Sequence, residues 1–302
     1  MPLPLVSIII ATYNRSNIIG YVIQSVLNQS IQDWELLVVG DACTDDTAAV
    51  VAAVGDARVR YLELAQNVGE QSGPNNAGLA AANGTYLAFL NHDDFWFPDH
   101  LATALALFDR QPDTDFSTPL QAIINPDCSV FLLGLFEHNS YRPNYFVPAS
   151  GWVFHRRVLL AVPTWRSYRD LWLFPSHDYL RRVFRAGLTI RSTNHLTCVG
   201  VPSSFRKNSY RDRQHDEHAH YANQLTSNTN WRTDLLTSAL MNNELQLSNP
   251  AILWQLLKNI IKRPFVQRNL VPMEWWLMLL HLRKGESLRR LRQLRGLHKL
   301  PH

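Results

Sequence analysis

An α/β fold with a doubly wound, mostly parallel sheet is predicted by the order of apolar runs in the first 110 residues. Short β-branched runs alternate with stretches of helical spacing. Because strands that alternate with helices form parallel sheets with right-handed crossovers, the pattern predicts helices on both faces of one sheet. The chain has 302 residues and is 46% hydrophobic, so it can bury a sizeable core.

The first two strand-and-helix units are the clearest part of this pattern. Residues 6–11 form a continuous β-branched run, and residues 18–27 have the apolar spacing of an amphipathic helix. Residues 34–39 form a second apolar run, followed by a helix rich in Ala and Val at residues 47–54. We therefore expect two parallel strands joined by a helix.

The next two units end in acidic residues. Residues 59–64 predict a third strand, and residues 74–82 predict a helix with Pro74 in its first turn. Residues 86–94 are a short apolar run that ends in two aspartates. Such a run is typical of a buried strand that carries carboxylates to the edge where open α/β sheets bind ligands.

Asp93 and Asp94 are therefore candidate ligands for Mg²⁺ or Mn²⁺, which proteins usually hold with one or two carboxylates plus phosphate oxygens of a substrate. The alternative is that these acids only begin the helix predicted at residues 101–108. The residues alone favour neither interpretation.

A looser second half is expected to mix strands with long loops. Strands are predicted at residues 116–124 and 129–135. Residues 176–185 predict a helix capped by Ser176, with a strand at residues 188–191 beyond it. The predicted organisation is a catalytic domain at residues 1–215, divided into halves 1–110 and 111–215, and a helical C-terminal extension at residues 216–302.

Charge is distributed unevenly along the chain. Residues 250–302 hold eleven Lys or Arg and two Glu, a net charge of +9, whereas the first 249 residues carry 18 basic and 23 acidic residues, a net charge of −5. A basic tail on an acidic body suggests contact with an anionic surface and argues against a nucleic-acid-binding protein. Three scattered cysteines and the absence of an apolar run of eighteen residues favour a cytoplasmic location.

Four ordered motifs carry a resemblance to a known family. They are Ser7-Ile-Ile-Ile-Ala-Thr-Tyr-Asn-Arg15, Val38-Val-Gly-Asp-Ala-Cys-Thr-Asp-Asp-Thr47, Asn67-Val-Gly69 and Phe89-Leu-Asn-His-Asp-Asp94. Together they resemble the family-two glycosyltransferases of the GT-A fold, over about residues 5–200. The resemblance implies an inverting transfer from a nucleoside-diphosphate sugar, a UDP-sugar in the first instance, to a glycan or lipid-linked glycan in a bacterium.

The resemblance also assigns roles. Asp41 would accept from the N–H of a pyrimidine base, and Asp93 would hold a divalent metal (Mn²⁺ or Mg²⁺) that bridges the diphosphate as a Lewis acid. Asp94 would have a supporting role. The donor-binding residues implied by the motifs are Thr12, Tyr13, Asn14, Arg15, Asp41, Asn76, Asn91 and Asp93.

Three positions depart from the family pattern. Relatives often have a second acid where this chain has Gly40, an acid in place of Asn91, and an Arg in place of Asn75. The site is therefore expected to be less anionic, with weaker metal affinity and one fewer cation near the donor.

The catalytic base implied by the resemblance is Asp178, at the start of the helix predicted over residues 176–185. His177 could tune Asp178, replace it as base or only support the helix. Arg206 and Arg211 lie on a basic loop that could close over the diphosphate or simply face solvent. His215, His218 and His220 are expected to be surface residues and not a metal cluster, since no cysteine lies nearby.

Three questions remain open at this level. The lost acids at Gly40 and Asn91 also suit a catalytically silent glycan-binding or scaffold protein. A nucleotidyltransferase should show a Gly-rich phosphate loop after its first strand, and residues 12–15 are not such a loop. Aromatic residues of the acceptor half would stack on sugars or pack in the core. Residues 271–282 predict a peripheral membrane contact, with packing on the catalytic domain or within a homodimer as the alternative.

The side chains behind the last two questions are numerous. The aromatic residues are Phe136, Tyr141, Tyr145, Phe146, Trp152, Trp165 and Tyr168. The cations expected to meet anionic lipid are Arg283, Lys284, Arg289, Arg290, Arg292 and Arg295, beside Trp275 and Trp276.

Overall fold

The computed structural model describes residues 3–247, 264–265, 268–272 and 284–297. The strands in these residues are β1 (Val6–Thr12), β2 (Trp34–Gly40), β3 (Val59–Glu63), β4 (Tyr86–Phe89), β5 (Asp94–Trp96), β6 (Phe116–Ile124), β7 (Val130–Leu133), β8 (Trp152–His155) and β9 (Ile190–Gly200). The α-helices are α1 (Ile19–Leu27), α2 (Thr47–Ala52), α3 (Ser72–Ala81), α4 (His100–Arg110), α5 (Pro175–Arg185), α6 (Ser209–Asp212), α7 (Asp216–Ser227), α8 (Trp231–Leu247) and α9 (Glu286–Leu294).

The strands form one mixed sheet in the order β3-β2-β1-β4-β8-β6-β9-β5, with β7 beside β6. The first four strands of this order are parallel, as the alternating pattern predicts. The second half is mixed: β8 is antiparallel to both β4 and β6, whereas β6 and β9 are parallel. The α/β prediction is confirmed, and the parallel character is concentrated in the first half.

Helices cover both faces of the parallel half because its strands are apolar on both sides. Alternate residues of β1 point to opposite faces, so Ile8 packs with α1 and α4, whereas Ile9 packs with α3 and α5. Gly78 lets α3 pack closely against β1, because a Cβ there would lie 2.5 Å from the Ile9 Cγ2 atom. The carboxyl ends of β1, β2 and β4 are thereby fixed at one edge.

Helices α7 and α8 share a core with the second half of the sheet. Tyr221, Trp231 and Leu235 pack in one buried cluster with Phe95 and Leu120. The part of the predicted extension that carries these three residues therefore packs directly on the sheet. The domain boundary at residue 215 stays a prediction.

Two local predictions need correction. Ser176 does not cap α5, because the helix begins at Pro175 after Phe174 and no side chain caps it. The strand predicted at residues 188–191 is the start of the longer β9, which continues through polar residues.

Among the described residues, no helix is long and apolar enough to cross a bilayer. Of the segment at residues 271–282, only residues 271 and 272 belong to the described part of the chain.

Candidate active site

A cavity of about 440 Å³ lies at the carboxyl ends of β1, β2 and β4. Six residues singled out by the sequence motifs line it, namely Thr12, Tyr13, Asp41, Asn91, Asp93 and Asp94. They come from three different strand ends, which meet because the strands are parallel and adjacent. The structure therefore brings together the polar residues of the first, second and fourth motifs.

Asp41 is buried at the end of β2 and holds the third motif in place. Its Oδ1 accepts from the Val68 amide at 2.7 Å, and its Oδ2 accepts from the Gly69 amide at 2.8 Å. Burial raises the pKa of the Asp41 carboxyl above its usual value, although the two amides and Arg292 oppose that shift. The carboxylate still has lone pairs for a ligand, because each oxygen can accept more than one hydrogen bond.

Thr12 and Tyr13 present different chemistry to the same cavity. The Thr12 Oγ1 atom is buried and has no hydrogen-bond partner among the described residues. The Tyr13 ring is partly exposed and lies 6.4 Å from the ring of Tyr210. An unused hydroxyl beside an aromatic face suits a ligand with a flat ring and a hydroxylated sugar.

Asp93 is the most strongly acidic group in the cavity. Its Oδ2 accepts from the Ser203 amide at 2.7 Å. Burial opposes its ionisation, but His92, the Ser203 hydrogen bonds and Arg15 outweigh burial and hold the pKa of the Asp93 carboxyl well below its usual range. Asp93 is therefore ionised at neutral pH.

Asp94 lies beside it in a different state. Its Oδ1 accepts from the Val201 amide at 2.9 Å, and its Oδ2 accepts from the Asn91 side chain at 3.0 Å. Burial and then the charge of Asp93 raise the pKa of Asp94 to about 7. These bonds fit the supporting role predicted for Asp94, since they fix the orientation of the Asn91 side chain.

His92 links the first motif to the segment after β9. Its Nδ1 lies 3.0 Å from the Ala11 carbonyl oxygen, and its Nε2 lies 3.2 Å from the Tyr210 hydroxyl. A carbonyl can only accept, so Nδ1 carries the proton and Nε2 accepts from Tyr210. Burial lowers the pKa of His92 to about 4, so the ring is neutral at neutral pH.

Three predicted donor-binding residues are not in the cavity lining. Asn14 bonds with Thr44, from Nδ2 to Oγ1 at 3.0 Å and from the Thr44 amide to Oδ1 at 2.7 Å. Asn76 forms a similar pair of bonds with the Trp165 backbone. Arg15 is buried and donates to the Ser203 hydroxyl and the Ser209 carbonyl. These residues hold neighbouring loops in position, and their contact with the donor stays a prediction.

Asp178 and His177 also lie outside the cavity lining, although Pro175 and Ser176 belong to it. Asp178 Oδ2 accepts from Arg182 Nε at 2.8 Å, and its Oδ1 lies 3.9 Å from Arg166. His177 is buried, with Nε2 2.7 Å from the Pro143 carbonyl oxygen. Asp178 therefore flanks the cavity in an ion-paired state.

The cavity is lined by different arginines from the predicted ones. Arg206 is paired with Glu217 through Nε at 2.5 Å, and Arg211 pairs with Asp212 at 3.1 Å, both away from the cavity. Arg292 of α9 and Arg295, the residue that follows α9, line it instead. Because they line the cavity, the expectation that these two arginines meet lipid is corrected. The sequence shows a basic tail but not where α9 packs.

Three further residues differ from expectation. His218 is buried, with Nε2 3.2 Å from the Asp93 carbonyl oxygen, so it is not a surface histidine. Gln121 lines the cavity with both polar side-chain atoms buried and unpartnered among the described residues, and no motif pointed to it. Of the seven aromatic residues named above between residues 136 and 168, Phe146 lines the cavity, whereas Trp152 and Trp165 lie in the core.

The described residues fit a metal only together with a substrate. They contain no group of three His, Cys, Asp or Glu that could hold an ion alone. Asp93 supplies a carboxylate and Asn91 an amide oxygen at the same cavity, a donor set that suits Mg²⁺ or Mn²⁺ when phosphate oxygens complete the shell. The weaker metal affinity expected from the missing acid is consistent with this arrangement.

The N-terminal part of the chain, which carries the strand ends of the cavity, matches a protein family. Residues 7–127 match the family model described as glycosyl transferase family 2. The Escherichia coli UDP-Glc:alpha-D-GlcNAc-diphosphoundecaprenol beta-1,3-glucosyltransferase WfgD is 37% identical over 103 residues, which are 34% of this chain and 40% of WfgD. The chain thus spans less than half the length of the curated relatives it matches.

Two solved structures have a similar fold. One is S. aureus TarS 1-349 in complex with UDP-GlcNAc, with a TM-score of 0.57 and 16% identity over 78% of this chain and 71% of that one. The other is the mannosyltransferase PcManGT from Pyrobaculum calidifontis in complex with GDP-Man and Mn²⁺, with a TM-score of 0.54 and 17% identity over 97% and 88%. The fold predicted from the motifs is confirmed.

Proposed function

Because residues 7–127 belong to glycosyl transferase family 2, we propose that this protein is a glycosyltransferase of the GT-A fold. It moves a sugar from a nucleoside-diphosphate sugar, in the first instance a UDP-sugar, to a hydroxyl of a glycan or lipid-linked glycan. The observation that carries the proposal is the convergence of Thr12, Asp41 and Asp93 on one cavity from three strand ends. WfgD, named for UDP-Glc and a diphosphoundecaprenol acceptor, supports both substrate classes.

The donor would lie along the strand ends. Tyr13 supplies an aromatic face for the base, Asp41 accepts from a base N–H, and the Thr12 hydroxyl bonds to the ribose. Asp93 and Asn91 would hold a divalent metal together with the diphosphate. When bound, such an ion neutralises charge on the leaving diphosphate.

Asp178 is the proposed base of an inverting reaction. It takes the proton of the acceptor hydroxyl as the acceptor oxygen bonds to the anomeric carbon and the bond to the diphosphate oxygen breaks. Its position two residues after Ser176 places it beside the cavity. Its ion pair with Arg182 would have to loosen before it accepts a proton.

Membrane contact remains part of the proposal only for the segment at residues 271–282. An acceptor on a lipid carrier would make such contact useful. A chain shortened to residue 249 should then lose salt-sensitive binding to anionic vesicles. The shortening also removes α9, so point variants at Trp275 and Trp276 provide the sharper comparison.

A panel of nucleotide sugars tests the function. UDP-, GDP- and dTDP-sugars are each incubated with the full chain and Mn²⁺, with and without glycan and polyprenyl-diphosphate acceptors, and product and free diphosphate are measured. One donor should be consumed faster with an acceptor present. A catalytically silent glycan-binding protein would consume none of them and would still bind glycans.

A further inference from the structure

Helix α9 and the residue that follows it place two arginines in the cavity from a distant part of the sequence. Arg292 lies in the last turn of α9, and Arg295 is the C-cap residue with helical dihedral angles, so the two lie on the same side of the helix end. Both line the cavity, and no other Arg or Lys does so among the described residues. The cavity thus has anionic strand ends on one side and two guanidinium groups on another.

Arg292 is buried and has no acidic ion-pair partner in the part of the chain that the structure describes. It is 7% exposed, and one terminal nitrogen donates to the Gly69 carbonyl oxygen. Its Nε atom is buried and unpartnered among the described residues. Burial lowers the pKa of Arg292, and the carboxylate that opposes this shift is Asp41, whose two oxygens already accept from the Val68 and Gly69 amides. A buried guanidinium left in this state is costly unless an anion joins it.

Arg295 adds a second positive charge to the same cavity. Its Nε atom is also buried and unpartnered in the described part of the chain. Arg295 lines the cavity together with Asp41 and Asp93, so the two guanidinium groups border the same space as these carboxylates.

The position of α9 is fixed by hydrogen bonds at both of its ends. The Gly285 amide donates to the Leu171 carbonyl at 2.9 Å. At the other end, the Asn208 amide donates to the Leu294 carbonyl at 2.8 Å, and the Tyr210 amide donates to the Arg295 carbonyl at 3.1 Å. These contacts join the helix to the segment that also carries Tyr210, so the arginines are held at the cavity by the fold.

We propose that Arg292 and Arg295 bind the phosphates of the nucleotide donor and of the nucleoside-diphosphate product. The inference rests on the proposed function, because it assigns a site for the anionic part of that donor. Guanidinium groups suit phosphate oxygens, since they donate in a planar fork and stay charged at all relevant pH values. They compensate for the cation missing at Asn75, and they stabilise the charge that develops on the diphosphate as the sugar leaves.

Calorimetric titration with UDP and GDP tests the proposal, with uridine and guanosine measured by competition. The variants are Arg292→Gln and Arg295→Gln in the full chain, and the control is Arg290→Gln, which removes an exposed arginine of the same helix that bonds to Glu286. Each cavity variant should weaken diphosphate binding about 10- to 100-fold, the usual effect of losing a charge-assisted hydrogen bond. Nucleoside affinity should change by less than about 2-fold.

The outcomes separate this proposal from the proposed function. If wild-type protein binds neither diphosphate, the proposed function fails, and the arginine proposal fails with it. If wild-type protein binds one diphosphate and both cavity variants bind it as tightly as Arg290→Gln does, only the arginine proposal is overturned. Unchanged nucleoside affinity shows that a variant is folded, and Arg295→Gln gives the result if the more buried Arg292 variant unfolds.

Discussion

The cavity is built from two regions that differ in how much the sequence reveals about them. The strand ends contribute Thr12, Asp41 and Asp93 within motifs that follow apolar runs. Arg292 of α9 and Arg295 after it come from roughly 200 to 280 residues further along the chain. The strand ends have a position fixed by local pattern, whereas the two arginines reach the cavity only because α9 packs beside it. The proposed phosphate binding therefore depends on a long-range contact that no motif marks.

The largest effect on turnover should come from a third region, the start of α5, which belongs to neither the strand ends nor α9. Asp178→Asn should lower turnover by about 10²- to 10⁴-fold with little change in donor affinity, because it removes the proposed base. Turnover with a saturating donor is measured beside the diphosphate affinity. Asp94→Asn is the matched comparison, since Asp94 lines the cavity with a pKa of about 7. A loss below 10-fold in Asp178→Asn, with a larger one in Asp94→Asn, would move the base to Asp94.

The next effect concerns the strand ends themselves. Asp93→Asn should lower turnover by about 10²- to 10³-fold, because an ionised carboxylate that holds metal and diphosphate becomes a neutral amide. The Ser203 amide can still donate to the new side chain, so the fold should persist. Activity is followed against Mn²⁺ concentration, with circular dichroism as the control for folding. Full turnover of the wild-type protein in excess chelator would contradict the metal assignment.

Two glycine substitutions separate the effect of α9 on diphosphate affinity from the effect of the core on stability. Gly285 has a φ of +77°, and a Cβ there would lie 2.7 Å from the Tyr168 ring, so Gly285→Ala should loosen α9. UDP or GDP affinity should fall by about 10-fold at nearly unchanged Tm. Gly78→Ala should instead leave the diphosphate affinity nearly unchanged and lower Tm by several degrees, because crowding Ile9 costs about 1–3 kcal/mol in the core. Equal Tm losses in the two variants would show that α9 is part of the same cooperative core.

The smallest effect on the site should come from His100, which lies in the core and stacks on Trp96 at 4.2 Å between ring centroids. Burial lowers the pKa of His100 from 6.5 to about 3. The unfolded chain therefore binds more protons than the folded one between these values, so this contribution to stability is complete above pH 6.5 and is lost as pH falls towards 3.

His100→Gln should accordingly flatten the dependence of unfolding free energy on pH by up to about 1.4 kcal/mol per pH unit. Urea unfolding at pH 5 and pH 7 measures this slope. Diphosphate affinity at pH 7 should stay unchanged. A variant with the same slope as wild-type protein would show that folding does not change the pKa of His100.

The fold and the strand-end residues were predictable because both depend on local patterns. The apolar runs predict β1, β2 and β4, and parallel pairing then brings Thr12, Asp41 and Asp93 to one edge. The partners of Asn14, Asn76 and Arg206 were not predictable, because folding and not the adjacent sequence brings each residue to its partner. These partners are Thr44, Trp165 and Glu217, which lie 30, 89 and 11 residues away along the chain. Sequence shows that a residue can bind a phosphate, and only the packing shows whether it is already engaged.

The basic C-terminal region illustrates the same limit. Arginines spaced along an amphipathic helix suit an anionic membrane and an anionic ligand equally well, because both interactions need only exposed positive charge. The bonds from Gly285 and Tyr210 decide which side of α9 meets the cavity. They involve backbone groups, which every residue has, so composition gave no sign of them.

The proposed binding mode puts a nucleoside diphosphate between the strand ends and α9. A crystal structure of the full chain with Mn²⁺ and UDP, or GDP if calorimetry prefers it, tests this most directly. The base should lie against Tyr13 and Asp41, with the diphosphate within hydrogen-bonding distance of Arg292 or Arg295 and a metal ion on Asp93. A diphosphate bound outside this cavity, or bound within it while both arginines face solvent, would contradict the account.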